Sequence, residues 1–236
     1  MDKPALISLT FDDGFRCQFD QALPILDHHG IPATFFLIAN RQPIHEIENH
    51  KNEWWKIDWR DEDILMLRKA IQGGHEVGSH SVTHDGRKMP TQPEFEARES
   101  KKLIEGWLGR EISSFCYPFY RSHVYLADAV KNAGYAQARA GAGASYYASH
   151  DTLDWLKLDC RQAAENHNVK EWIRPGCWHI LTFHGIGDRR SGWEPISVDR
   201  FTAMVSELAG YRDSNAVDIA TFEQGAQRFR RHNDRP

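Results

Sequence analysis

Short apolar runs of strand formers alternate with helix-period segments along the whole chain, and this alternation constrains the fold more than any other feature. Ala5–Phe11 (ALISLTF) and Ala33–Ile38 (ATFFLI) are short and apolar, as buried strands are. Between them, Phe19, Ala22, Leu23 and Leu26 recur at helical spacing, and Gly30 supplies a stop. The same reading gives strands at Glu76–Ser79, Ser114–Tyr117, Ala136–Ala140, Leu153–Leu158, His179–Phe183 and near Val217–Ala220. Helices are expected at Asp61–Ile71, Gln92–Leu108, Val124–Ala133, Val169–Ile173, Val198–Ala209 and Phe222–Arg231. In the second of these, Phe95, Ala97, Leu103 and Leu108 are expected to face inward. Roughly seven or eight such βα repeats imply a parallel sheet with helices outside it. With no linker or shift in composition, residues 1–236 are expected to form one domain with a core over about 5–225. The sheet is either a barrel or doubly wound, and function belongs at the C-terminal ends of its strands.

Composition excludes several other classes. A formal net charge of -4 argues against a general binder of nucleic acid or anionic membranes, since there is no excess of cations. No apolar run approaches the roughly 20 residues needed to span a bilayer. Eight Trp, 12 Phe and 7 Tyr are ample for burial, which argues against disorder. The four cysteines, Cys17, Cys116, Cys160 and Cys177, form no C-x-x-C pair and read as free thiols. The N-terminal residues lack the apolar stretch of a signal peptide, so a cytoplasmic location is expected.

Four features carry chemistry. In Thr10-Phe11-Asp12-Asp13-Gly14, two adjacent carboxylates stand where a strand gives way to a turn. Such a pair can divide the work, one binding a metal and the other acting as a base, although Asp-Asp-Gly is also an ordinary turn. His80 and His84 are spaced H-x3-H, one turn apart on a helix or on one side of a tight loop, which is metal-ligand spacing. With 13 histidines, roughly 0.7 such pairs arise by chance, so the weight comes from the short strand leading into it. His184 ends the apolar run Leu181–Phe183 and is placed for acid–base work. In Asp151–Trp155, a carboxylate beside an aromatic can orient a histidine. One carboxylate and two imidazoles around a divalent ion, with a free carboxylate and a third histidine nearby, suit metal-assisted hydrolysis of an acyl bond.

These residues resemble the motifs of the polysaccharide deacetylase family, the NodB-homology domain or carbohydrate esterase family 4. Thr10–Gly14 matches TFDDG, and His80–His84 matches H-S/T-x-x-H. Phe115–Phe119 falls where R-x-P-F/Y is expected, while Asp151–Trp155 and Leu181–His184 resemble the last two motifs. The resemblance implies a distorted (β/α) barrel with seven parallel strands and outer helices. It also implies one divalent ion, zinc first, with Co2+, Ni2+ or Fe2+ accepted by the same ligands. Carried over, Asp13, His80 and His84 become the metal ligands and Asp12 the base. The Phe119 N–H joins the oxyanion hole, His184 is the acid, Asp154 orients it, and Trp155 walls the acetyl pocket. The implied partner is an acetylated carbohydrate, not nucleic acid or membrane.

Two departures stand out. Cys116 occupies the place of the third-motif Arg, and Arg121 or Arg139 is a candidate replacement. Gly185 stands where some members carry Asp, opening a Gly-punctuated loop in which Trp193 can stack on a sugar. Trp54, Trp55 and Trp59 form either a carbohydrate platform or, preferably, a small satellite core. The expected activity is removal of acetyl groups from N- or O-acetylated oligo- or polysaccharide. The alternatives are a hydrolase of a small non-sugar amide on the same scaffold and a non-catalytic carbohydrate-binding barrel.

Overall fold

A computed structural model describes residues 3–40, 59–121, 124–141, 143, 146–148 and 151–233. Trp54 and Trp55 lie outside the described residues. Strands β1 (Ala5–Phe11), β2 (Ala33–Leu37), β3 (Glu76–Ser79), β4 (Ser114–Cys116) and β5 (Gln137–Arg139) run side by side and parallel. On the other edge of β1 lies β8 (Cys177–Phe183), also parallel. The outer edge of β8 is shared by β6 (Tyr147–Ala148), antiparallel, and β7 (Arg161–Gln162), parallel. β9 (Val217–Ile219) pairs with the first residues of β1, leaving the last residues of the same edge to β2. Sharing edges in this way curls the sheet into a half-barrel.

Helices α1 (Leu23–His29), α2 (Asp61–Gln72), α3 (Pro93–Leu108), α4 (Val124–Asn132), α5 (Val198–Asp213) and α6 (Phe222–Asn233) connect or follow the strands. The α/β architecture is the one expected, but nine strands are present among the described residues, not seven, and β6 runs antiparallel. The added strands β6 and β7 have two residues each, too few to carry a periodic signal.

β1 and β8 are buried along nearly their full length, as strands covered on both faces must be. Phe11 stacks on Phe35 and Phe183 at ring separations of 5.0 and 5.3 Å, tying β1 to both neighbours under the site. Trp59 is buried in the same core, its Nε1 donating to the Ile38 carbonyl and its ring against Phe19 and Trp107. It belongs to the main core and to neither of the expected roles. Phe95 is exposed, contrary to expectation. α3 buries Ala97, Ser100, Ile104 and Trp107 along one stripe, and a residue two before Ala97 falls on the opposite face. The stretch Leu153–Leu158 forms a turn, with only Leu158 bridging to Arg139.

Candidate active site

Every strand that reaches the site delivers its residues at the C-terminal end, where parallel strands leave room between the loops. After β1 the chain turns sharply, with Asp13 at φ 73° and Gly14 at φ 72°. A Cβ on Gly14 would come within 2.9 Å of the Trp59 ring, so space as well as dihedral demands glycine here. The turn places Asp12 and Asp13 on one side. Asp12 is tied to β8 by its N–H to the Phe183 carbonyl, at 3.1 Å. Gln18, at the start of a π-helical turn over Gln18–Ala22, donates from Nε2 to the carbonyls of both Asp12 (2.6 Å) and His184 (2.9 Å). It thereby fixes the ends of β1 and β8 relative to each other.

His80 and His84 sit on a tight loop after β3, with Ser81 at φ 69° and His84 at φ 52°. The loop is held by Glu96 of α3, which is fully buried. Its carboxylate accepts the N–H groups of Val82 and Thr83, each at 2.9 Å, and the Thr83 hydroxyl at 2.6 Å. His80 Nδ1 lies 2.9 Å from the Cys116 carbonyl and can only donate to it, so Nε2 faces Asp13 and becomes a ligand lone pair once it gives up its proton.

The structure brings Asp13, His80 and His84 together. Asp13 Oδ1 is 3.4 Å from His80 Nε2 and 3.5 Å from His84 Nε2. A tetrahedral zinc ion with bonds of about 2.0–2.1 Å separates its ligand atoms by about 3.4 Å, so the Asp13 carboxylate already stands at that spacing from each imidazole, and all three donor atoms lie within 4.8 Å of one another. Two imidazoles and a carboxylate are also a donor set that zinc and its neighbours accept. Burial lowers the His84 pKa to about 4, keeping the ring neutral as a ligand must be. Burial raises the Asp13 carboxyl, but the hydrogen bond from His80 and the nearby imidazoles outweigh it, and the net shift is downward. His80 shifts upward, because the Asp13 hydrogen bond and the Asp12 charge outweigh its desolvation.

Asp12 lies outside this trio. Its Oδ1 pairs with the guanidinium of Arg139, and its Oδ2 faces Cys116 Sγ at 3.6 Å and His184 Nε2 at 3.7 Å. Burial alone would raise its pKa, but Arg139, His80 and His184 hold it below the usual value. Arg139 is fully buried at the end of β5. It donates to Cys116 Sγ (2.8 Å) and Cys160 Sγ (2.7 Å), and its guanidinium lies 5.5 Å from the Phe36 ring centre and 5.8 Å from that of Tyr120. Arg139 therefore provides the charge that position 116 lacks, while Arg121 is exposed. The small thiol of Cys116 leaves the volume that the Arg139 guanidinium fills.

The remaining expected residues divide. Phe119, at φ 57°, rests its ring 4.4 Å from that of His84 and stays 47% exposed. Trp193 is 50% exposed, and its carbonyl accepts the N–H of Gly185 beside His184. A Cβ on Gly185 would come within 2.7 Å of the Ser191 carbonyl oxygen, so this fold of the 185–195 loop excludes an Asp there. Asp154 and Trp155 are not brought to the site. Asp154 is exposed and caps the Leu156 N–H, and Trp155 lies under the Arg230 guanidinium of α6 at 4.4 Å. Arg230 in turn bonds the carbonyl of Ala136, just before β5 begins, away from the C-terminal strand ends. Asp154 therefore does not orient His184. Sequence reasoning missed Gln18, Glu96, Tyr120 and Gln162, all polar and distant in sequence from the groups they touch.

A curled parallel sheet with carboxylates and histidines converging at its C-terminal strand ends defines a barrel-type α/β scaffold. Solved structures share it. An acetyl xylan esterase from Clostridium thermocellum, in complex with a cobalt ion, superposes with a TM-score of 0.59 over 94% of this chain and 90% of that one, at 18% identity. A peptidoglycan deacetylase from Bacillus subtilis gives a TM-score of 0.58 over 99% and 94%, at 16% identity. Residues 2–138 match the polysaccharide deacetylase family, and the chain belongs to it. A chitooligosaccharide deacetylase of Bradyrhizobium sp. (strain ANU 289) is 27% identical over 209 residues, 86% of this chain and 82% of that protein. The peptidoglycan-N-acetylglucosamine deacetylase of Bacillus cereus is 28% identical over 68% of this chain and 53% of its own length. The chain spans only 42% of YxkH and 39% of YheN, two Bacillus subtilis (strain 168) relatives that it also matches.

Proposed function

We propose that this chain is a metal-dependent hydrolase that removes acetyl groups from N- or O-acetylated oligo- or polysaccharide. The observation that carries the reading is the separation of one ligand-spaced trio, Asp13, His80 and His84, from a second carboxylate, Asp12, that faces a third histidine. When bound, a divalent ion supplies a Lewis acid and makes water acidic near neutral pH. Asp13, His80 and His84 would hold it. Asp12 Oδ2, which the pairing of Oδ1 with Arg139 leaves with only the long contacts to the Cys116 thiol and His184, takes the proton from the attacking water. The Phe119 N–H stabilises the negative charge that develops on the acyl oxygen. His184 Nε2 delivers a proton to the departing amine or alcohol. The exposed rings of Phe119 and Trp193 favour a sugar, whose apolar faces stack on aromatic rings, over a small amide enclosed in a pocket.

The test is acetate release from an N-acetylglucosamine oligomer and from an acetylated xylan oligomer, each with chelator and then with added zinc or cobalt. Release restored by metal from either substrate supports the reading and separates amide from ester. Metal bound at one equivalent with no release from either would overturn it.

A further inference from the structure

Tyr120 is a large residue held in the left-handed region, at φ 57°, directly after Phe119 at the same φ. Two consecutive bulky residues in that region are costly unless the surroundings enforce it, and such outliers cluster at functional sites. The Tyr120 hydroxyl donates to Gln162 Oε1 at 2.6 Å and lies 3.5 Å from His184 Nε2, at the long end of hydrogen bonding. Its ring stands edge-on to the His184 imidazole, with centres 6.1 Å apart and planes at 81°. The same ring lies against the Arg139 guanidinium that pairs with Asp12.

A phenol has one proton. With it given to Gln162, the oxygen can only accept from His184, which requires hydrogen on Nε2. We propose that Tyr120, oriented by Gln162, is the positioning residue of the acid, holding His184 with its transferable proton on Nε2. This deepens the hydrolase reading and rests on it. No atom of Tyr120 enters the reaction. When the His184 ring is the imidazolium, the Tyr120 hydroxyl accepts from Nε2–H and orients that hydrogen toward the leaving group; His184 gives up the Nε2 proton and keeps the one on Nδ1. Tyr120 thus acts in place of the carboxylate that Asp154 does not supply.

The experiment compares wild type with Tyr120→Phe and Gln162→Leu, which keep the bulk of the side chains. For an N-acetylglucosamine oligomer, whose amine must be protonated to leave, Tyr120→Phe should lower kcat about tenfold, a fraction of full acid catalysis, with KM little changed. For 4-nitrophenyl acetate, whose nitrophenolate leaves without a proton, the rate should change less than about twofold. Gln162→Leu should shift both substrates in the same directions, by less. An equal fall on both substrates, or no fall on either, overturns the inference. Imidazole nitrogen NMR gives a readout independent of turnover. Neutral His184 should be the Nε2–H form in wild type, with the Nδ1–H form gaining in Tyr120→Phe, whereas unchanged populations overturn it. Wild type inactive on both substrates would sink the hydrolase reading, and the NMR comparison would still decide the role of Tyr120.

Discussion

The two halves of the site are built in different ways. The Asp13–His80–His84 half comes from two short loops, one after β1 and one after β3. Each loop sets its own geometry through left-handed residues and, in the second, through the Glu96 carboxylate. The half around Asp12 Oδ1 and His184 has no such local unit. Cys116 comes from β4, Tyr120 from the turn after it, Arg139 from β5, Cys160 from the stretch before β7, and Gln162 from β7. A loop that places both imidazoles at once leaves little room for change within itself. A dispersed shell can pass one task between strands, as Arg139 on β5 does for position 116 on β4.

The comparison predicts different failures. The largest effect should follow loss of the local half: His80→Ala or Asp13→Asn should lose bound zinc and acetate release together, metal content and activity falling to background. Asp12→Asn should keep one equivalent of metal yet lose about 10²–10⁴-fold in turnover. Near-normal turnover in that variant would remove Asp12 as the base.

Arg139→Met should act on stability as well as rate, because it leaves a buried carboxylate without its counter-charge. The expected cost is about 3–5 kcal/mol in a denaturant melt. The double variant Arg139→Cys with Cys116→Arg returns the guanidinium from the neighbouring strand. If the dispersed half is interchangeable as argued, it should recover much of the lost stability and activity. A double variant as weak as Arg139→Cys alone would show that the shell is as fixed as the loops.

Zinc affinity should depend on pH through His80. Its pKa is raised in the metal-free fold, so the metal must displace a proton above the usual histidine value of 6.5. Affinity should rise about tenfold per pH unit below that raised pKa and level off above it. The metal-free protein should show the opposite trend in stability. The charged His80 stabilises the fold fully below 6.5, and that contribution is lost as pH rises through the folded value. Titration calorimetry and melts with chelator would read the two trends separately. The smallest effect is expected at the rim, where Trp193→Ala should raise KM about 3- to 10-fold with kcat unchanged, the mark of lost uniform binding.

The long parallel strands were legible without coordinates because they are buried on both faces and read as apolar runs; β1 falls on Ala5–Phe11 as expected. Asp12–Asp13 and His80–His84 were equally visible, since near neighbours in sequence must stay near in space. Glycine at 14 follows from the same local geometry, with φ positive and a ring against the Cα. Tertiary structure decided what sequence distance conceals. It chose Arg139 over Arg121, buried Trp59 in the main core, and turned Asp154 and Trp155 toward α6. It also joined Tyr120 to Gln162 and His184, 42 and 64 residues away. Such contacts depend on which strand lies beside which and on the register between them, and neither leaves a periodic mark on the residues that meet.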